Sequence, residues 1–294
     1  MASVSDNQQP LLVIVGSTAS GKTGLAIEVA KLFGGEVICA DSRTIYKGMD
    51  VGTAKPTEEE QQAVPHWGLD LVEPSEDFSA ADFKRYALDK VEEIRVRGNL
   101  PIITGGTGLY IDAILFDYQF GPRVDAGNRK RLEAMELDEL YQYCADNNIK
   151  LPENYKNKRY VIRAIEKKNI STTRKNEPID NTIVVGITTE NEELRRRIED
   201  RFEHMLKHDV VSEATMLGKK YGWDNQAMTG NIYPLIRLYL KKEITLSELR
   251  DKFTTLDWQL AKRQRTWLKR NPYVHWVSLT EALSTIRTLL AHEQ

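Results

Sequence analysis

Only two cysteines occur in the 294 residues, Cys39 and Cys144, far apart and without metal-ligand neighbours. A disulfide scaffold and a thiolate metal site are thereby excluded, and buried thiols in a reducing compartment are expected. The formal net charge is only −2, so no field of one sign surrounds the molecule, and a polyanionic partner has to be met by a local basic patch. Apolar runs long enough to span a bilayer are missing. The first ten residues carry neither a basic start nor an apolar leader-like segment, so a cytoplasmic protein with no membrane partner is expected. There is no internal repeat and no low-complexity segment. The 41% apolar content supports one large core, or a core and a smaller domain.

What is present begins with an apolar run, Leu11 to Val15, that leads directly into Gly16, Ser17, Thr18, Ala19, Ser20, Gly21, Lys22 and Thr23. The spacing Gly-x4-Gly-Lys-Thr between a strand and a helix is the phosphate-binding P-loop. Its glycines let successive backbone N–H groups face one anion, the helix N-terminus adds a positive dipole end, and the lysine adds a mobile charge. A hydroxyl at Thr23 is the usual ligand for a Mg²⁺ that bridges phosphate oxygens. A chance glycine turn is the bland alternative. Strand, spacing and a helical pattern from Leu25 to Phe33 all speak against it.

Strand-like runs at 11–15, 36–40 and 100–104 alternate with helical patterns, notably 79–97 with Phe83, Ala87, Val91 and Ile94 on one stripe. This rhythm predicts an α/β fold: a P-loop NTPase-like core whose parallel sheet is flanked by helices. Gly121-Pro122 then interrupts the pattern, and a charged helical stretch of about sixty residues reads as an inserted all-helical domain. A strand at 183–187 resumes the core, followed by helices with apolar stripes at Leu194, Ile198, Phe202 and Met205 and at Phe253, Leu256, Leu260, Gln264 and Trp267. A short strand at 273–277 and a closing helix end the chain. The expected division is a core over 9–116 and 181–294, with an insertion over 117–180.

Strand 36–40 delivers Asp41 and Ser42 at the sheet edge where the P-loop opens. Asp41 reads as a general base, as a Mg²⁺ carboxylate or as a cap of the next helix. The turn Thr104 to Tyr110, rich in glycine, reaches the same edge. It reads either as a tunnel floor or second anion site, with Thr107 facing it, or as glycines that permit close packing. Lys262, Arg263, Arg265, Lys269 and Arg270 place five positive charges near the C-terminus without a carboxylate, and Lys156, Lys158, Arg159 and Arg163 form a second basic cluster. Each reads as a solvated face or as a nucleic-acid contact, and the pair together favours a clamp on an extended anion. Arg195 to Arg197 are interspersed with acids and read as helix-surface pairs.

These residues resemble the tRNA dimethylallyltransferases, also called tRNA isopentenyltransferases. The likeness covers nearly the whole chain and rests on Gly16 to Thr23 and on Asp41-Ser-Arg-Thr-Ile-Tyr-Lys-Gly-Met-Asp-Val-Gly-Thr-Ala-Lys-Pro56. It rests also on Gly105 to Tyr110, Arg159 to Glu166 and Ala261 to Trp267. The Asp41 to Pro56 run is the most telling, because ordinary P-loop kinases lack it. The resemblance implies transfer of a dimethylallyl group from dimethylallyl diphosphate to N6 of the adenosine 3′ of the anticodon. It casts Asp41 as the base and the P-loop, Lys22 and a Thr23-bound Mg²⁺ as stabilisers of departing diphosphate. Thr107 and Arg129 match positions near tRNA and leaving group. The matching tRNA-facing segments are Asp41, Ser42, Arg43 and Thr44; Arg159, Tyr160, Val161, Ile162 and Arg163; and Lys262, Arg263, Gln264 and Arg265. The expected partners are a tRNA anticodon stem-loop and dimethylallyl diphosphate, and the expected state is a monomer.

Two departures stand out. An arginine usual in the family aligns with Thr229 or is displaced, with Arg237 as the candidate substitute, and His66-Trp67 stands where a His-His pair is common, so His66 receives no role. The rival activities are prenylation of free adenine nucleotides, phosphorylation of a small molecule and non-catalytic RNA binding.

Overall fold

The computed structural model describes residues 8–121, 126–168, 173–230 and 232–292. Pro122, part of the predicted break, and the first seven residues lie outside that description. The chain divides into two compact units, 1–116 with 177–294, and 117–176.

The first unit opens with β1 (Leu11–Gly16), α1 (Lys22–Phe33), β2 (Gly35–Cys39), α2 (Glu58–Ala63), β3 (His66–Trp67), α3 (Ala80–Val96), β4 (Leu100–Gly105) and α4 (Gly108–Leu115). The second unit holds α5 (Ala126–Ala134), α6 (Leu137–Asp146) and α7 (Lys158–Lys167). The first resumes with β5 (Thr182–Thr188), α8 (Asn191–Lys207), α9 (Val210–Tyr221), α10 (Ile232–Leu240), α11 (Leu246–Leu268), β6 (His275–Ser278) and α12 (Leu279–His292).

Among the described residues, six strands pair in parallel in the order β3-β2-β4-β1-β5-β6. The α/β class is therefore as the alternating pattern predicts. The strand β1 is central and buried at every position, as expected when helices cover both faces of a parallel sheet. Leu12 and Ile14 point into a core shared with Leu25, Ile27 and Val29 of α1 and Ile286 and Leu290 of α12. A second cluster is mostly helical: Leu194, Ile198 and Phe202 of α8, Leu217 of α9, Ile236 of α10 and Phe253 of α11 close over Ile45 and Met49. This cluster clamps the loop that follows β2.

One strand goes unannounced by the sequence, and one expectation is corrected. The edge strand β3 is a two-residue element that no periodicity can announce. On α11 the fully buried positions are Leu249, Phe253, Asp257, Ala261 and Leu268, while Leu256 and Leu260 are half-buried and Trp267 is exposed. The stripe read as core is rotated, because part of it faces a cavity.

In the second unit, Leu132, Leu140, Cys144, Val161, Ile162 and Ile165 form a small core of their own. Both cysteines are buried, as read from the sequence.

Candidate active site

Parallel register brings the C-terminal ends of β1, β2 and β4 together, since Val15 pairs with Gly105 and Cys39 with Thr104. The loops after these strands line one cavity of about 570 Å³. Its walls include the P-loop from Thr18 to Thr23, Asp41 to Thr44, Thr107, Arg201, Asp257 and Gln264.

The P-loop turns tightly, with Ser20 N donating to Ser17 O at 3.2 Å and Gly21 at φ +89° opening α1. At that φ a side chain would be strained, and a Cβ would also lie 2.7 Å from Leu279. Unlike α3 and α11, which begin with capping boxes, α1 has no side-chain cap. Its first N–H groups and dipole end are thus free for an anion. Lys22 Nζ donates to Ser17 O at 3.1 Å. Burial pushes this ammonium down to about 8, and the repulsion of Arg201 adds to that, against the attraction of Asp41 and Asp257. The Thr23 hydroxyl lines the cavity and bonds no other described residue. Ser20 Oγ is buried without a partner among the described residues.

Asp41 is half-buried on the cavity wall. It caps a turn and no helix: Oδ1 accepts from Arg43 N at 2.8 Å, which leaves Oδ2 for other chemistry. Thr107 holds this turn from below, its Oγ1 accepting from Ser42 N at 3.0 Å. The glycines around Thr107 permit packing: a Cβ on Gly105 would sit 2.1 Å from Ala40 O and one on Gly108 2.2 Å from Trp267. Both readings of that turn therefore hold in part, a cavity floor made of close-packed backbone. The Cys39 thiol, buried and beside Asp41, is pushed up to about 12 and stays protonated.

Several residues had no part in the sequence reading. Asp257, 3% exposed, lies beneath Thr18, and Arg201 bonds Thr18 Oγ1, lies 3.8 Å from Asp257 Oδ2 and donates to Thr53 O at 3.2 Å. Arg197 pairs with Glu193, as the helix pattern predicts, but also donates to Ser20 O at 3.0 Å. The signal was in the helix period, since Arg197 and Arg201 are one turn apart beside the apolar stripe of α8.

Four expectations change. Gln264, grouped with RNA-facing residues, accepts from Thr18 N at 2.7 Å and so buttresses the P-loop. Thr44 is buried, at 5% exposure. Val161 and Ile162 are core residues of the second unit, so from that segment Arg159, Tyr160 and Arg163 are left to face outward. Arg237 pairs with Asp224 at 2.7 Å and does not line the cavity; Arg43 reaches Thr229 Oγ1 at 3.2 Å, and the cavity's cations are Lys22, Arg43, Arg201 and Arg263. Within the second unit, Arg129 and Arg163 both pair with the buried Glu166, at 3.0 and 3.1 Å. His66 is half-buried with Nδ1 2.7 Å from Val64 O, a structural setting.

A P-loop on the central strand of a parallel sheet, with a carboxylate on the wall of the same cavity, gives an α/β fold with a loop of the phosphate-binding type beside a titratable side chain. The profile described as "IPP transferase" matches residues 44–271, and the chain belongs to this family of prenyltransferases. A tRNA dimethylallyltransferase from Acetivibrio thermocellus is 41% identical over 92% of both chains. The crystal structure of full-length tRNA isopentenylpyrophosphate transferase from Bacillus halodurans superposes with a TM-score of 0.74 at 34% identity, covering 97% of each chain. A eukaryotic dimethylallyltransferase crystallised acting on tRNA shares the fold, with a TM-score of 0.77 at 23% identity over 96% of this chain and 78% of its own.

Proposed function

We propose that the chain transfers the dimethylallyl group of dimethylallyl diphosphate to N6 of the adenosine immediately 3′ of the anticodon in tRNA. The observation that carries this reading is the shared cavity: the loop that suits a diphosphate and the carboxylate that suits an amine proton line the same walls.

The exocyclic amine of adenine is a weak nucleophile because its lone pair is delocalised into the ring. Asp41, with Oδ1 fixed by Arg43 N, takes the N6 proton on Oδ2 as the bond from N6 to the allylic C1 forms. The C1–O bond breaks, and diphosphate departs into the α1 N-terminus, where the P-loop amides, Lys22 and Arg201 meet its charge. Thr23 suits Mg²⁺, because its hydroxyl is unspent and this ion takes few protein ligands beside phosphate oxygens and water. When bound, Mg²⁺ supplies further neutralisation of the leaving group.

The RNA partner is supported by unspent charge. Among the described residues Lys262, Arg263, Lys269 and Arg270 form no ion pair, and Arg265 bonds only Asn191 and stacks on Trp258. Arg263 lines the cavity, so this ridge reaches its wall. Phosphate neutralisation supplies a large share of nucleic-acid affinity. A target base has to leave its stack to enter, at a cost of about a few kcal/mol offset by backbone contacts.

The test incubates purified protein with labelled dimethylallyl diphosphate and an anticodon stem-loop bearing adenosine 3′ of the anticodon. Label in that adenosine, lost when it is replaced by guanosine, is the expected result. Label in AMP with none in RNA, or phosphate transfer from ATP, would overturn the reading.

A further inference from the structure

Glu213 on α9 lies outside every motif and does not line the cavity, yet its carboxylate accepts three successive backbone N–H groups. Oε2 takes Asp50 N at 2.8 Å and Val51 N at 2.7 Å, and Oε1 takes Gly52 N at 2.9 Å. Oε1 also accepts from the Tyr233 hydroxyl at 2.8 Å. Burial, together with this carboxylate, holds the Tyr233 phenol well above its usual range, so it remains a donor. Three convergent amides form a concave anion site of the kind that often binds a free oxyanion. In this fold the site is filled by the protein's own side chain.

Both things that Glu213 grips are cavity walls. Gly52, Thr53, Ala54, Pro56 and Tyr233 all line the cavity. Gly52 is pressed against the Tyr233 ring so closely that a Cβ would lie 2.6 Å from it. The loop from Asp50 to Ala54 has no helix or strand to hold it. Its other anchors are Lys55, bonded to Asp50, Asp70 and Tyr46 O, and Arg201 on Thr53 O. Since Arg201 also grips Thr18, a displaced loop would shift a cation that faces the phosphate site.

We propose that Glu213 is a positioning residue for the donor: it clamps the 50–54 loop and Tyr233 so that the cavity wall and Arg201 are set for a prenyl diphosphate. This rests on the donor assignment above. The prediction for Glu213→Ala is that the nest, emptied of its carboxylate, takes formate from solution.

Calorimetry with the thiolo analogue of dimethylallyl diphosphate reads donor binding without requiring transfer. The expected result for Glu213→Ala is a loss of about tenfold or more in affinity, the loss typical of buried donors left unpaired, with stem-loop affinity unchanged. Formate, but not chloride at equal ionic strength, restores binding saturably. Unchanged donor binding, or a loss that formate does not repair in a variant that still unfolds cooperatively, overturns the proposal. Should the alanine variant fail to fold, Glu213→Gln is read instead: it keeps one acceptor oxygen, weaker donor binding supports the clamp, and wild-type binding sinks it. If wild-type protein does not bind the analogue at all, the donor assignment itself fails, an outcome distinct from any effect confined to the variants.

Discussion

Thr18 N donates to Gln264 Oε1 at 2.7 Å, a hydrogen bond that ties the phosphate loop to the helix ending in the basic ridge across 246 residues of sequence. Thr18 is 7% exposed, and water cannot readily replace the lost acceptor. Gln264→Ala is expected to cost about 1–3 kcal/mol at this position. Steady-state kinetics will show it as a raised KM for the prenyl diphosphate with little change in RNA affinity. A variant that loses RNA binding alone would return Gln264 to the RNA-facing group.

Asp41→Asn keeps an acceptor for Arg43 N and removes the basic carboxylate. Single-turnover transfer should fall by about 10²–10⁴, the usual contribution of a general base, while gel-shift affinity for the stem-loop stays near wild type. Near-normal turnover would exclude Asp41 as the base.

Lys22 gives a pH signature. Its ammonium is pushed down to about 8 by burial, and a bound diphosphate stabilises the charged form, raising that value in the complex. Binding is therefore strongest below pH 8 and weakens as pH rises through it, with net proton uptake near the midpoint. Calorimetry of the thiolo analogue in two buffers of different ionisation enthalpy measures this uptake directly. Lys22→Met should bind weakly at every pH and abolish the uptake.

Glu36 offers a stability test remote from the chemistry. Burial pushes its carboxyl up, but hydrogen bonds from Arg97, Asn99 and Trp67 outweigh that and hold it below its ordinary value. A carboxyl depressed in the fold contributes stability that is present above its unfolded value and lost as pH falls through its folded one. Glu36→Gln should thus lower the Tm at neutral pH and narrow its gap to wild type under acid, measured by calorimetric scans. An equal gap at both pH values would show that charge has no part.

Much of this was legible. The P-loop, the strand that carries Asp41 and the alternating order all follow from spacing, because backbone geometry imposes the pattern locally. The stripe on α11 misled, since Leu260 and Gln264 share a helical period with Phe253 whether the facing space is packed or open. Arg201, Asp257 and Glu213 were hidden for a different reason: each acts on backbone atoms distant in sequence, and only the closed fold shows which amide or hydroxyl it meets. Val161 and Ile162 show the reverse error, where a segment matched as a whole contains residues that serve a core.

The chain leaves and re-enters the first unit through paired segments. At the first unit's edge Ile179 N donates to Leu115 O at 2.7 Å, and inside the second Gln119 N donates to Thr173 O at 2.8 Å, so the outgoing and returning chains run side by side. The second unit is therefore a detachable module in topological terms. A tight turn grafted between the paired ends would leave every strand of the sheet in place, and each halving of the excised span would return about 0.6 kcal/mol of closure entropy. A descendant lineage could lose, replace or enlarge this module without rethreading the sheet that carries the phosphate loop.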